Sequence, residues 1–266
     1  ASKNIANTAM IYHAGKFLAL QEGAHPFELK LPNLDPVGEV DYEGRLKHPF
    51  TAHPKIDPRT GELVTYGYNV TSKPYCSVSL ITKAGELIHT TDVDIPKPVM
   101  MHDCAITSNH TVIMDLPCVF DFGRMAEGKS MLYFEEENGS RFGVLARGAD
   151  GNEIKWFDVD SCYCYHTVNA FEDGDEIVVE GCRSERNSIG DDVKPQAGDR
   201  SDLPMLHQWR LNLKTAEVRE KSLDSKWGCE FARINEDYMG IRNQFTYAAR
   251  IAGDTLESGF DGIIKY

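Results

Sequence analysis

The chain has 266 residues, 41% of them hydrophobic, and a net charge of −13 from 28 basic against 41 acidic side chains. Such an acidic balance argues against nucleic acid as a partner and against an anionic membrane surface as an electrostatic one. No apolar run approaches the roughly 20 residues that span a bilayer, and a single all-β domain of this size can bury a full core.

The first residues, ASKNIANTAMIYHAG, lack the basic-then-apolar order of a secretory signal and the Arg/Ser-rich character of a transit peptide. From there the pattern is strand, turn, strand. AMIYH, KFLAL, FELKL and VGEVDY are short β-type runs separated by Gly, Pro and Asn. FTAHPKI, DPRTGELVTYGYNV, YCSVSLI, ELIHTTDVDI and CAITSNHTVIMDL follow, then SMLYF, RFGVLA, IKWFDV, EIVVEGCR, HQWRLNLKT and a last run at 262–266. Asp57-Pro58-Arg59-Thr60-Gly61 reads as a type I turn closed by a glycine at positive φ, with similar turns at Lys83–Glu86 and Gly148–Asn152. Phe122–Gly128 is the one candidate for a short helix, and Ser184–Pro204, charged and poor in large apolar residues, reads as a long surface insertion.

Seven cysteines, an odd count without a CxxC pair, read as reduced, buried thiols of a cytosolic-type compartment. The expected localisation is therefore cytoplasmic, with a plastid as the alternative because this N-terminus need not be the native one. Many short strands imply a sandwich, barrel or propeller. A spacing of about 50 residues favours a propeller of four-stranded blades. His53, His102 and His166 lie in apolar settings 49 and 64 residues apart. A propeller brings equivalent positions of successive blades to its axis, so such histidines become neighbours without a local ligand motif. From context alone each also fits a hydrogen-bonded core histidine, as do the remaining six.

A set of ordered pieces narrows this reading: Asn7-Thr8-Ala9, Gly15–Gly23 (GKFLALQEG), Phe50–Pro58 (FTAHPKIDP), Thr60–Leu63, Met100-Met-His-Asp103, Arg141–Val144, His166 with Asn169-Ala170, and Glu230–Asn235 (EFARIN). Along its whole length the chain resembles the carotenoid cleavage oxygenases. That family includes plant carotenoid dioxygenases, apocarotenoid oxygenases, lignostilbene dioxygenases and the retinoid isomerase of the eye. The resemblance implies a seven-bladed β-propeller with a cap. Residues 1–266 would be a partial propeller domain of about four to five blades, lacking N- and C-terminal blades and contributing loops to the cap. It implies an Fe(2+) centre held by four histidines, three of them His53, His102 and His166, with the fourth outside this chain. It further implies that Glu22 and Glu230 orient ligand histidines through their free ring N–H, and that Thr8 lies near an open iron position.

The implied reaction adds O2 across a conjugated C=C bond of an apolar polyene and yields two carbonyl products. Tyr12-His13, Leu18–Glu22 and Met114–Pro117 look most similar to the plant 9,10(9′,10′)-cleaving carotenoid group. Gln21 stands where stilbene cleavers carry a lysine for a substrate phenol, which argues against a phenolic stilbene. A stilbene-cleaving dioxygenase and a non-catalytic binding propeller are the competing readings. Substrates this apolar also imply peripheral membrane contact.

Overall fold

The computed structural model describes residues 4–190 and 198–266. Among the described residues every regular element is a strand or a short 3-10 turn, and no helix is long and apolar enough to cross a membrane. The chain divides into two compact units, Ala1–Pro98 with Leu145–Ile154, and Val99–Val144 with Lys155–Tyr266.

The first unit holds two four-stranded antiparallel meanders. One is β1 (Ala9–His13), β2 (Lys16–Leu20), β3 (Phe27–Lys30) and β4 (Asp35–Glu39). The other is β5 (Lys55–Ile56), β6 (Leu63–Tyr68), β7 (Cys76–Ile81) and β8 (Leu87–Val93). Sequential up-and-down pairing of this kind is how a propeller blade is built. The alternation in KFLAL and LVTYGY sends Leu18, Leu20 and Leu63 into one apolar cluster with Leu46, Phe50 and Ile81. The 57–61 turn forms as expected: Gly61 sits at φ +74° and its N–H donates to the Asp57 carbonyl at 2.7 Å. The buried Asp57 carboxylate accepts from Arg59 and Arg147, each at 2.8 Å, so the turn is closed by paired charges.

The second unit begins with β9 (Cys104–Ile106) and β10 (His110–Asp115). A two-stranded ribbon follows, β11 (Cys118–Phe120) with β12 (Leu132–Phe134). Then β13 (Ser140–Ala146) and β14 (Lys155–Val159) complete a sheet in the order β14-β13-β10-β9. The next meander is β15 (Tyr163–Asp173), β16 (Glu176–Ser184), β17 (Met205–Asn212) and β18 (Val218–Ser222). Last comes the three-stranded β19 (Cys229–Arg233), β20 (Tyr247–Ile251) and β21 (Phe260–Lys265). Its core packs Trp209 edge-on against Phe142, ring centres 4.9 Å apart, among Val112, Met114, Phe157, Ala170 and Val179.

Two expectations need correction. FTAHPKI is not a full strand, because only Lys55–Ile56 pairs; Pro49 and Pro54 remove ladder donors, so His53 rides on a bend. VGEVDY is shifted, since β4 is Asp35–Glu39. Phe122–Glu127 does form a short 3-10 turn, capped by Asp121 and ended by Gly128 at φ +73°. Of the 184–204 insertion, residues 191–197 lie outside the described residues. Its flanks are tied by Glu185 N–H to Ser201 O at 2.8 Å and Ser188 N–H to Asp202 at 3.2 Å. All seven cysteines are buried, and burial pushes the Cys162 thiol up to about 12.

The β9–β10 turn, a few residues past His102, is anchored by one carboxylate. Glu172 on β15 accepts from Thr107 Oγ1 at 2.6 Å, Asn109 N–H at 3.0 Å, Asn109 Nδ2 at 2.9 Å and His110 Nδ1 at 3.0 Å. Burial alone would raise this carboxyl, but the hydrogen bonds outweigh it and hold the group at about 2, below its ordinary 4.5. A depressed carboxyl stabilises the fold fully above its unfolded-state value and loses that contribution as pH falls through the folded one. The Tm of Glu172→Gln is therefore expected to lie below that of the parent at neutral pH, with the gap narrowing between pH 4.5 and about 2. Thermal melts across that window measure it, and a gap of constant size throughout would contradict the assignment.

Candidate metal centre

His166 lies inside β15 at a break in the ladder. Cys164 pairs with Arg183 and Thr167 with Gly181, so Tyr165 and His166 together face Cys182 alone. This is a bulge, which re-aims a side chain that regular alternation would send elsewhere. Gly181 is required opposite it, because a Cβ there would come within 2.8 Å of Cys164 Sγ. A second shift between Thr167 and Asn169 restores the ladder. Buried Asn169 fastens the strand beyond it, donating to Tyr238 O, Ile241 O and Asn243 Oδ1 at 2.7–3.1 Å and accepting from Gly240 N–H at 3.0 Å.

Glu230 is delivered by a matching irregularity. On β19, Glu230 pairs with Ala249 and Arg233 with Tyr247, leaving Phe231 and Ala232 opposite one residue. Phe231 takes φ +53°, a left-handed backbone that a bulky residue adopts only when its surroundings impose it. Its N–H donates to Glu230 Oε2 at 2.7 Å, and the same oxygen accepts from His166 Nδ1 at 2.6 Å. Glu230 is 2% exposed at its side chain and His166 17%. The Phe231 ring stacks beside His166 at 5.1 Å.

His102 precedes β9 on a short segment pinned at several points. Val99 bridges Val119, Met100 N–H donates to Cys118 O at 2.8 Å, and Tyr163 OH donates to Met100 O at 3.0 Å. Tyr165 places its ring edge-on to the His102 ring at 5.4 Å, and its hydroxyl accepts from Asn187 at 2.8 Å. The result is that His102 Nε2 and His166 Nε2 face each other at 3.2 Å.

This geometry has a definite chemical content. A carboxylate accepts only, so His166 Nδ1–H donates to Glu230 and Nε2 is left as the lone-pair nitrogen. Two imidazole nitrogens 3.2 Å apart can both lie about 2.1 Å from one ion, and neutral imidazoles suit borderline divalent metals such as iron, zinc or cobalt. The residues therefore fit a first-row metal. Carboxylate, imidazole and ion in line is the arrangement that fixes a ligand ring and raises its basicity.

The other expected site residues belong to the first unit. His53 is half-buried, and its N–H donates to Thr51 Oγ1 at 3.0 Å, while Thr51 N–H donates to Tyr66 O at 2.8 Å. Glu22 accepts from Tyr68 OH at 2.5 Å; burial first, and then the Glu22 charge, push that phenol up. Thr8 is exposed, its hydroxyl donating to Asn7 at 3.3 Å and its N–H to Leu20 O at 3.0 Å. Sequence reasoning missed Tyr165, Tyr68 and Asp103. Tyr165 adjoins His166 in a visibly aromatic run, but nothing in that run reveals that it meets His102.

Blade-type antiparallel sheets that present converging imidazoles from a loop and a bulge define a β-propeller protein with a histidine-lined candidate metal centre. The chain belongs to the retinal pigment epithelial membrane protein (RPE65) family, the carotenoid cleavage oxygenases; the family profile matches residues 1–266. Carotenoid 9,10(9′,10′)-cleavage dioxygenase 1 of Pisum sativum is 41% identical over 98% of this chain and 48% of its own length. A carotenoid cleavage oxygenase of Mycobacterium tuberculosis is 31% identical over 94% of this chain and 58% of its own. The chain thus spans about half the length of the curated relatives it matches. The lignostilbene dioxygenase of Pseudomonas brassicacearum superposes with a TM-score of 0.84 at 28% identity, over 94% of this chain and 54% of that one. Cobalt-substituted Synechocystis ACO superposes with a TM-score of 0.81 at 24% identity, over 99% and 57%, and shares the fold.

Replacing Glu230 by alanine frees the His166 ring to rotate and removes the fixed tautomer. Affinity for Co(II), measured by titration, is expected to drop about 10–100-fold, with a smaller loss for Glu230→Gln, whose amide oxygen still accepts. Equal affinity in all three proteins would remove Glu230 from the site.

Proposed function

We propose that this chain supplies His53, His102 and His166 as three ligands of an Fe(2+) centre in a dioxygenase that splits a conjugated C=C bond of a carotenoid or apocarotenoid, at the 9,10 (9′,10′) position. The observation that carries the reading is the His102–His166–Glu230 constellation, with the two Nε2 atoms 3.2 Å apart and one ring locked by a carboxylate at 2.6 Å. The family and the 41%-identical plant dioxygenase supply the reaction. In the whole protein, seven blades and a fourth histidine would complete the ring and the ligand set. Glu22 and Thr8 keep the roles the resemblance implies, Glu22 orienting a ligand ring and Thr8 lying near the open iron position.

The ferrous ion, when bound, would supply the O2 chemistry, so that both oxygen atoms end in the two carbonyl products. The protein's own residues do the rest. Glu230 holds the Nδ1 proton of His166 and thereby the ring's orientation. Tyr163 and Tyr165 hold the segment and ring of His102. Beside Tyr165 opens a cleft of about 330 Å³ lined by Tyr165, Asn187, Ile189, Pro204 and Leu256 among others. Its size is in the range of small-molecule sites; Ile189, Pro204 and Leu256 offer apolar wall to one end of a polyene, beside the polar Arg186, Asn187, Asp202 and Glu257. Apolar substrate, O2 and transient contact with lipid are the partners this reading requires, and its expected compartment is the cytoplasm or a plastid.

Stilbene cleavage is the second reading, favoured by the 28%-identical lignostilbene dioxygenase neighbour and opposed by Gln21. The full-length protein loaded with Fe(II) is incubated with β-carotene, an apocarotenal and a hydroxystilbene, and the products are identified by mass spectrometry. Paired carbonyl products from the polyenes, falling to background in His102→Ala and His166→Ala, are expected. Cleavage of the stilbene alone would transfer the assignment to the second reading. Undiminished polyene cleavage in both alanine variants would end the metal-centre proposal.

A further inference from the structure

His102 lies on the segment before β9 and His166 within β15, so their 3.2 Å separation requires that the two backbones be fixed to one another. Side-chain contacts do not achieve that alone. Glu230 and Tyr165 restrain ring rotation, and each ring would still follow any drift of its own main chain.

The residue after each histidine closes this gap. Asp103 is 2% exposed and Thr167 6%. Asp103 Oδ2 accepts from both Thr167 N–H and Thr167 Oγ1, each at 2.8 Å, while Oδ1 accepts from Cys104 N–H at 2.8 Å. Thr167 Oγ1 also lies 3.0 Å from Cys104 O. The Thr167 amide sits between the two register shifts of β15, where the ladder is broken. The Asp103 carboxylate thus satisfies a buried donor at the bulge that aims His166, and does so from the position next to His102. Buried N–H groups without a partner are costly, so the bulge and the His102 segment stabilise each other.

We infer that Asp103 and Thr167 form a positioning clamp that sets the distance between His102 and His166. This rests on the metal-centre reading above. Neither residue touches the ion or substrate; both act through the main chain of the ligands. Charge matters as well as shape: the carboxylate offers two oxygens that only accept, whereas an asparagine amide would turn either an NH2 toward the Thr167 N–H or one toward the Cys104 N–H. The hydroxyl of Thr167 matters separately from its methyl, because only the hydroxyl reaches Oδ2.

The test uses the full-length protein with Co(II) as probe, read by titration and by the ligand-field absorption of the bound ion. Thr167→Val and Asp103→Asn are expected to weaken Co(II) binding about 10–100-fold, the range typical of residues that support metal ligands, and to shift the absorption bands. Thr167→Ser, which keeps the hydroxyl, is expected to restore both. Ser140→Ala, which removes a buried hydroxyl bonded to Cys162 at 3.0 Å, serves as a reference for lost stability: it is expected to lower Tm without moving the spectrum. If Asp103→Asn does not fold, the Thr167 pair carries the test. Thr167→Val with parental affinity and spectrum, its Tm lowered or not, overturns the clamp while leaving the metal centre intact. Failure of the unsubstituted protein to bind Co(II) overturns both.

Discussion

The contact between His166 Nδ1 and the buried Glu230 carboxylate, at 2.6 Å, decides which nitrogen of that ring is available for chemistry. An imidazole in water exchanges tautomers and rotates; one backed by a carboxylate does neither. Placing a nearly unexposed carboxylate in a protein interior is unfavourable unless it is hydrogen-bonded, and Glu230 Oε2 receives both the imidazole and the Phe231 amide. Its other oxygen, Oε1, is buried with no hydrogen-bond partner among the described residues. The arrangement is therefore held by the sheets around it, and the site depends on their integrity.

Irregular backbone, present in other sheets as well, recurs at this point. One register shift on β15 contains His166 and a second follows Thr167, one follows Glu230 on β19, and Phe231 sits at φ +53° beside it. The left-handed backbone of Phe231 carries a cost on the order of 1–3 kcal/mol. The long β15 and β16, with the Trp209–Phe142 core behind them, supply the regular structure against which such departures can be maintained. A bulge is also the simplest way for a strand to present a residue out of alternation, which is what a ligand near a common point requires when several strands contribute one each.

The surroundings of the two imidazoles divide by chemistry. One side is polar and hydrogen-bonded, with Glu230, Asp103 and Thr167 in the interior. The other is aromatic: Tyr163, Tyr165 and Phe231 lie within 4.7–6.5 Å of one another or of a histidine ring. The polar side fixes ligand geometry. On the aromatic side, Tyr165 also lines the neighbouring cleft, whose wall includes Asn187 and Arg186.

Much of this was legible in the residues. AMIYH and KFLAL become β1 and β2 at their expected bounds, and the Asp57–Gly61 turn forms as its composition dictates, because alternation and turn chemistry act over a few residues. The spacing of His53, His102 and His166 pointed to a propeller-type arrangement, and the motif pieces identified the family. β11, β15, β18, β19 and β20 were not read: VREKS is charged, and the β15 and CEFAR runs are bulged, which hides the period of two. What only the tertiary structure decided is which groups meet. The Asp103–Thr167 pairing spans 64 residues, as do His102–His166 and His166–Glu230. Hydrogen bonds between such distant residues leave no periodic trace in either segment, because their partners are fixed by how sheets and bulges place the main chain and not by any local preference of the residues themselves.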